Sequence, residues 1–91
     1  MKYEIKYSNE FKKGLKKYKH DKQTLELIQS VIDKLANDEI LDEKYKDHKL
    51  KGDYKDLREC HIKPDLLLIY KKDSQILVLI CLAIGSHSDL F

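Results

Sequence analysis

The chain has 91 residues, of which 42% are hydrophobic and 37% are charged, and its formal net charge is +2. This length supports one domain with one modest core. The composition excludes a disordered polypeptide, and no apolar run approaches the roughly 20 residues of a membrane-spanning helix. We therefore predict a single domain over residues 1–91 that has no membrane partner.

Two further features favour the cytoplasm. Residues 1–5 lack the charged-then-apolar order of a secretory signal. Cys60 and Cys81 are the only two cysteines, and both lie in apolar or strand-like sequence. This context favours reduced, buried thiols over a disulfide.

The charge is unevenly distributed. Residues 1–20 contain seven lysines against two glutamates, and residues 44–63 contain seven basic side chains against four acidic ones. Two basic zones are consistent with a polyanionic partner, although a solvated lysine-rich helix face would give the first zone equally well.

The first half of the chain predicts a strand followed by two helices. Apolar and polar residues alternate over residues 3–7, which indicates a half-buried strand. Ser8 is placed to cap an amphipathic helix that ends near His20. Asp21 is the next candidate N-cap, and a broad apolar stripe runs from there to a helix end near Asn37. The two helices should form a hairpin.

The second half predicts a long loop and three strands. Residues 38–53 are polar and aperiodic, and loops of this length in small domains are often functional. The predicted strands are residues 54–62, 65–72 and 75–84, joined by short turns at residues 63–64 and 73–74. The order β-α-α-β-β-β predicts an α+β domain with the helix pair on one side of a mainly antiparallel sheet.

Three of the four histidines fall in this second half, at His48, His61 and His87, together with Asp65. Histidine has an unperturbed pKa of about 6.5, so it can accept and donate protons near neutral pH. In a small basic protein this pattern suggests metal-independent acid–base chemistry on a phosphate group. The remaining His20, near a helix end, is interpreted as a surface residue that interacts with the helix dipole.

A zinc site is the alternative use of these side chains. Its ligands would be Cys60, His61, Cys81 and His87. Adjacent residues of a strand point to opposite faces, so Cys60 and His61 cannot readily share a metal ion. We therefore predict no metal and no cofactor.

The second half of the chain contains three motifs, which are Tyr45-Lys46-Asp47-His48, Arg58-x-x-His61-x-x-Pro64-Asp65 and Gly85-x-His87-x-x-Leu90-Phe91. Together they resemble the RelE superfamily of bacterial type II toxins, and within it the YafQ branch. The resemblance covers nearly the whole chain. It implies a small toxin that enters the ribosomal A site, cuts the bound mRNA as a metal-independent endoribonuclease, and is held inactive by a cognate antitoxin.

The resemblance also implies roles for individual residues. His87 would be the general acid, Asp65 or His61 the general base, and His48 a phosphate-orienting donor or second acid–base group. The matching substrate-binding positions are Arg58, Lys46, Lys51 and Phe91, the last of which would stack on a base. Without the resemblance, Asp65 could be an ordinary turn residue and Phe91 could close the core.

One position departs from the family pattern. An arginine commonly stands two residues before the glycine of Gly-x-His, where it stabilises the phosphate in the transition state, and here that residue is Ala83. The resemblance therefore implies an enzyme that is attenuated by a detoxifying substitution. The alternative is natural divergence in which a neighbouring lysine takes over the role of the arginine.

Two other functions stay open from the sequence. The related ParE branch would make the chain a non-catalytic toxin that inhibits DNA gyrase by binding it. Alternatively, the toxin–antitoxin complex could act mainly as a repressor. Operator DNA would then be contacted only through the antitoxin complex, because the chain has no helix-turn-helix signature.

Overall fold

Residues 2–54 and 56–91, which the computed structural model describes, form a five-stranded sheet with helices packed against it. The strand order is β1-β5-β4-β3-β2, with β1 parallel to β5 and the other pairs antiparallel. The elements in chain order are β1 (Glu4–Tyr7), α1 (Asn9–Leu15), α2 (Lys22–Ala36), β2 (His48–Lys49), β3 (Arg58–Lys63), β4 (Leu66–Asp73), β5 (Val78–Gly85) and α3 (His87–Leu90). The predicted α+β class with a mainly antiparallel sheet is confirmed.

Both predicted helix caps are present. The Ser8 hydroxyl accepts a hydrogen bond from the backbone N–H of Phe11 at 3.0 Å, and the Asp21 carboxylate accepts one from the N–H of Thr24 at 3.1 Å. The first helix is shorter than predicted, since α1 ends at Leu15 and continues as a 3₁₀ helix over Lys16–Tyr18. Such tightening is common at the ends of α-helices.

The predicted boundaries in the second half were partly wrong. The predicted loop contains β2, a two-residue strand in which His48 pairs with Glu59 and Lys49 with Arg58. Strand β3 begins at Arg58 rather than residue 54, because Tyr54 belongs to the 3₁₀ helix Gly52–Tyr54. Strand β5 begins at Val78 rather than residue 75, because the Asp73 carboxylate accepts hydrogen bonds from the N–H groups of Gln75 and Ile76 and closes a longer turn.

The hydrophobic core lies between the helices and one face of the sheet. Its members include Phe11 from α1, Ile28, Val31 and Ile32 from α2, and Cys60, Leu68, Tyr70, Leu79, Cys81 and Ile84 from the strands. Both cysteines are free and buried, as predicted, and burial raises the pKa of each thiol to about 12. Among residues 2–54 and 56–91, no helix is both long and apolar enough to cross a bilayer.

The contact between α1 and β5 depends on Gly14. A methyl group at this position would overlap the backbone carbonyl oxygen of Ile84, which cannot move without distorting the strand. We expect Gly14→Ala to lower the free energy of unfolding by about 1–3 kcal/mol, the usual cost of overpacking. Urea unfolding measures the loss, with the exposed neighbour Lys13→Ala as control. Equal stability of the two variants would contradict this account of the packing.

Candidate active site

The sheet face opposite the helices carries the predicted acid–base residues. Directly paired residues on neighbouring strands point to the same face, and the register places His48 beside Glu59, Glu59 beside Ile69, and Ile69 beside Ala83. A second row, two residues along each strand, pairs His61 with Leu67 and Leu67 with Gly85. Strand pairing therefore brings together side chains that are far apart in the sequence.

The same register brings His87 to Asp65. Because Leu67 pairs with Gly85 in antiparallel strands, the residues two steps further out, Asp65 and His87, meet at the end of the sheet. The Asp65 carboxylate accepts a hydrogen bond from the His87 backbone N–H at 3.2 Å and lies 3.4 Å from Nδ1 of the imidazole. The prediction that these two residues share a site agrees with this geometry.

The short helix α3 holds His87 and Phe91 in place. Ser86 and Asp89 form a capping box, in which each side chain accepts a hydrogen bond from the backbone N–H of the other residue. Nζ of Lys17 lies 3.0 Å from the Asp89 carboxylate, which connects α3 to the 3₁₀ helix after α1. Hydrogen bonds from Ser86 and Lys17 lower the pKa of Asp89.

Glu59 is a functional candidate that the sequence reasoning missed. It is 5% exposed, and Oε1 lies 3.3 Å from Nε2 of His61 and 3.6 Å from Nε2 of His48. A carboxylate between two imidazole rings can stabilise whichever ring becomes protonated. The available signal was its position two residues before His61 in a predicted strand, because this spacing places both side chains on one face.

The rings form a continuous row across the site. Centroids lie 6.3 Å apart for His48 and His61, 5.8 Å apart for His61 and His87, and 6.5 Å apart for His87 and Phe91. His61 is the least accessible of the three imidazoles, with 17% of its side chain exposed, whereas the Phe91 residue is 60% exposed. Phe91 therefore does not close the core, and its ring is free to stack on a planar ligand.

The loop before β2 fixes the orientation of His48. Lys46 has a left-handed backbone conformation with φ of 48°, and its carbonyl oxygen lies 2.6 Å from Nδ1 of His48. A carbonyl oxygen can only accept a hydrogen bond, so Nδ1 carries the proton and donates it. Nε2 of His48 is consequently the atom directed toward Glu59.

Asp47 attaches this loop to the core. Its Oδ1 accepts hydrogen bonds from the hydroxyl of Tyr70 at 2.5 Å and from Nε of Arg58 at 3.3 Å. Tyr70 is 1% exposed, and burial together with its hydrogen bond to Asp47 raises the pKa of its hydroxyl. The network joins the residue next to His48 to the centre of β4.

Removing the Tyr70 hydroxyl should loosen this attachment. We expect Tyr70→Phe to lower the free energy of unfolding by about 1–3 kcal/mol, because a buried hydrogen bond to a charged group is lost while the ring is kept. Urea denaturation measures the change. Tyr54→Phe is the matched control, since Tyr54 is 54% exposed. If both variants lost the same stability, the Asp47 attachment would not be the cause.

The predicted substrate-binding residues are not all at this site. Arg58 pairs with Tyr70 on the helix-packed face, so its guanidinium serves the Asp47 network instead of facing the histidines. Lys46 is exposed on the loop that carries His48. Lys51 is also exposed, and within residues 2–54 and 56–91 no hydrogen bond or ion pair joins it to the histidines.

The side chains of the alternative zinc set lie on different faces. Cys60 and Cys81 belong to the core, whereas His61 pairs with Leu67 on the face that carries the histidine row. Among the described residues there is no group of three or more His, Cys, Asp or Glu side chains positioned to hold a metal ion. His48 and His61 lie beside Glu59, and His87 lies beside Asp65.

Comparison with known proteins identifies the class of this fold and site. The model of the family described as "Bacterial toxin of type II toxin-antitoxin system, YafQ" matches residues 3–91. The chain is 32% identical to the mRNA interferase toxin YafQ of Escherichia coli K12 over 89 residues, which cover 97% of this chain and 95% of that protein.

Solved structures agree with this match. A metal-bound toxin from Helicobacter pylori is 46% identical, with a TM-score of 0.89 and complete coverage of both chains. The E. coli DinJ–YafQ toxin–antitoxin complex contains a chain that is 30% identical, with a TM-score of 0.85, covering 100% of this chain and 99% of that one. The protein is thus a bacterial toxin of the type II class. It belongs to the YafQ family, which favours the predicted nuclease branch over the ParE-like alternative.

Proposed function

We propose that this toxin is a ribosome-dependent endoribonuclease that cuts mRNA in the A site, and that it acts in the cytoplasm. The observation that supports this best is the row of His48, His61 and His87 on one sheet face, with carboxylate oxygens 3.3–3.6 Å from the ring nitrogens. The E. coli relative is named an mRNA interferase.

The proposed reaction needs an acid and a base but no external reactant. A base takes the proton of the ribose 2′-OH, and the 2′-oxygen attacks phosphorus. The bond from phosphorus to the 5′-oxygen breaks, and an acid protonates that oxygen. The products are a 2′,3′-cyclic phosphate on one fragment and a 5′-hydroxyl on the other.

His87 is the proposed acid. Its Nδ1 faces Asp65 at 3.4 Å, so a proton on Nδ1 is directed to the carboxylate while Nε2 faces outward from a side chain that is 58% exposed. Protonated His87 can then donate from Nε2 to the leaving oxygen. Asp65 holds the ring, which makes it a positioning residue rather than the base in this scheme.

His61 is the proposed base. Its Nε2 lies 3.3 Å from Glu59, so an N–H at this nitrogen donates to the carboxylate and leaves Nδ1 free to accept the 2′-OH proton. Glu59 then stabilises the imidazolium that forms, as carboxylates do in other imidazole-based sites. His48 takes the phosphate-orienting role, because its protonated ring would place a positive charge beside the proposed base on the same sheet face.

Mapping new RNA ends tests the function directly. Purified toxin is added to translating ribosomes, mRNA ends are located by primer extension, and gyrase supercoiling is measured in parallel. We expect ends within the A-site codon, terminal cyclic phosphate on the upstream fragment, and normal gyrase activity. Gyrase inhibition without new mRNA ends would overturn the proposal in favour of the ParE-like alternative.

Metal independence needs a separate test, since the Helicobacter pylori relative is a metal-bound toxin. We expect the cleavage rate to be unchanged by phenanthroline, which removes transition metals while leaving the magnesium that ribosomes require. Three imidazoles with two carboxylates already provide the proton transfers. A rate that falls with chelator and returns with added metal ion would contradict metal-independent cleavage.

The proposed regulatory partner is a cognate antitoxin, as in the E. coli DinJ–YafQ complex. The α1–α2 pair offers an exposed lysine-rich surface with Lys12, Lys13, Lys16 and Lys17. An acidic, partly disordered partner could fold over it and neutralise these charges. Operator DNA would be contacted only through that partner.

A further inference from the structure

A second concave surface adjoins the histidine row. It is a cavity of about 460 Å³ between α2, the 3₁₀ helix Glu43–Tyr45 and the end of β3, and its wall includes His61. The cavity exists because β2 has only two residues, which pair with Glu59 and Arg58, so β2 does not extend alongside the rest of β3. Its volume falls within the usual range for small-molecule sites.

The walls of this cavity combine an apolar floor with a cationic rim. Leu27, Tyr45 and Pro64 supply apolar surface, and Lys44, Lys46 and Lys63 supply three ammonium groups. None of the described residues that line it is acidic. The cavity therefore suits a ligand with a flat apolar part and a negative charge.

Lys63 is held in position for such a ligand. Its Nζ donates to the hydroxyl of Thr24 at 2.6 Å, and that hydroxyl donates to the Asp21 carboxylate at 2.7 Å. Thr24 is 1% exposed. Because Thr24 and Asp21 lie at the start of α2, the ammonium group of Lys63 is held against that helix. It therefore loses less conformational entropy when it binds an anion.

We propose that this cavity is the subsite for the nucleotide next to the scissile phosphate of the RNA substrate. The base lies on the apolar floor and the adjoining phosphate contacts the lysine rim, while the shared residue His61 faces the reacting 2′-OH. This inference rests on the proposed function, since it assumes that the histidine row acts on RNA.

Nucleotide titration tests the subsite without requiring cleavage. Adenosine 5′-monophosphate is added to isotope-labelled toxin, and methyl NMR signals of Leu27 and Ile62, both in the cavity wall, are followed. Leu15 and Ile32 report on an apolar groove of about 330 Å³ between α1 and α2 and serve as internal controls. We expect selective shifts at Leu27 and Ile62, and weaker shifts there with inorganic phosphate alone.

Charge variants then assign the rim. We expect Lys63→Gln to weaken nucleotide binding about tenfold, the effect of losing one charge-assisted hydrogen bond. In the ribosome assay it should raise KM more than it lowers kcat. Lys34→Gln, at an exposed position of α2 outside the cavity, should change neither quantity. Thermal unfolding of each variant establishes that the fold is kept.

The outcomes separate this inference from the proposed function. Shifts at Leu15 and Ile32 instead of Leu27 and Ile62, or equal weakening by Lys34→Gln, would overturn the subsite even if mRNA is cut. Selective nucleotide binding in the cavity without new mRNA ends would support a nucleotide site and overturn the proposed cleavage.

Discussion

Replacing His87 by glutamine is expected to lower the rate of mRNA cleavage by about 10²–10⁴, the usual contribution of a positioned general acid or base. Glutamine keeps a polar side chain but cannot supply a proton to the leaving oxygen. His87 is exposed, so its replacement should leave the free energy of unfolding nearly unchanged. Single-turnover cleavage on stalled ribosomes measures the rate.

Two further variants serve as comparisons for His87→Gln. His20→Gln changes an exposed histidine far from the row in sequence and should have no effect. Asp65→Asn keeps the hydrogen bond from the His87 backbone but removes the negative charge beside Nδ1, so it should slow cleavage less than His87→Gln does. If His87→Gln cut mRNA at the unchanged rate, another group would have to be the acid.

A leaving group that needs no proton provides a second check. A substrate with a 5′-thio linkage departs as a thiolate, and general acid catalysis contributes little to its cleavage. The rate deficit of His87→Gln should therefore shrink on this substrate, whereas a deficit caused by poor binding should persist. This comparison separates a catalytic role of His87 from a merely structural one.

Local signals were sufficient to predict the helices. Ser8 and Asp21 accept hydrogen bonds from residues three positions later, so each cap is written in a few consecutive residues. The capping box of α3 was equally local, since Ser86 and Asp89 show the same spacing, yet the sequence reasoning passed over it. Its four-residue helix carries no apolar period that would have drawn attention.

The site depends on the pairing of strands that are far apart in the sequence. Hydrophobic periodicity within a segment does not reveal such pairing. The position of His48 opposite Glu59 follows from the β2–β3 register, and a two-residue strand gives no alternating pattern. Glu59 was counted only as one of the four acidic residues of the second basic zone, although only 5% of it is exposed. The family motif identified His48, His61, Asp65 and His87 as site residues. It did not predict the strand order that brings them together.

Arg58 illustrates the opposite difficulty. Its charge suggested contact with phosphate, and the strand prediction already implied that Arg58 and Glu59 face opposite sides of the sheet. Tyr70 pairs with Arg58, and its ring is buried in the core. Arg58 therefore lies on the core face of the sheet, and the histidines lie on the other face. A motif match therefore located the arginine in the chain but not its role.

Because Arg58 lies on the other face of the sheet, no arginine reaches the candidate site from β3. The effect of Ala83 on the cleavage rate should therefore be larger. Ala83 pairs with Ile69, which in turn pairs with Glu59, so Ala83 lies in the same row as His48 and Glu59. Two strand spacings separate Ala83 from Glu59, about 10 Å. An arginine side chain at position 83 would extend across Ile69 toward Glu59, which lies beside His61 and His48.

We expect Ala83→Arg to raise the cleavage rate by up to about 10²–10³, the usual value of one preorganised donor at a developing negative charge. Ala83→Gln, which is uncharged, should give little gain, and Ala83→Lys should give an intermediate one because it lacks the planar fork that binds phosphate oxygens in pairs. Rates are compared under single-turnover conditions with antitoxin absent.

Glu59 determines how much of this gain is realised. An introduced guanidinium can pair with the Glu59 carboxylate instead of the phosphate, which would also weaken the hold of Glu59 on His61. The double variant Ala83→Arg with Glu59→Gln tests this pairing. It frees the introduced arginine to bind the phosphate, but it also removes the carboxylate partner of the base His61. Equal rates for the unmodified chain and Ala83→Arg would mean that the site is not attenuated, and that another group already does the work of the missing arginine.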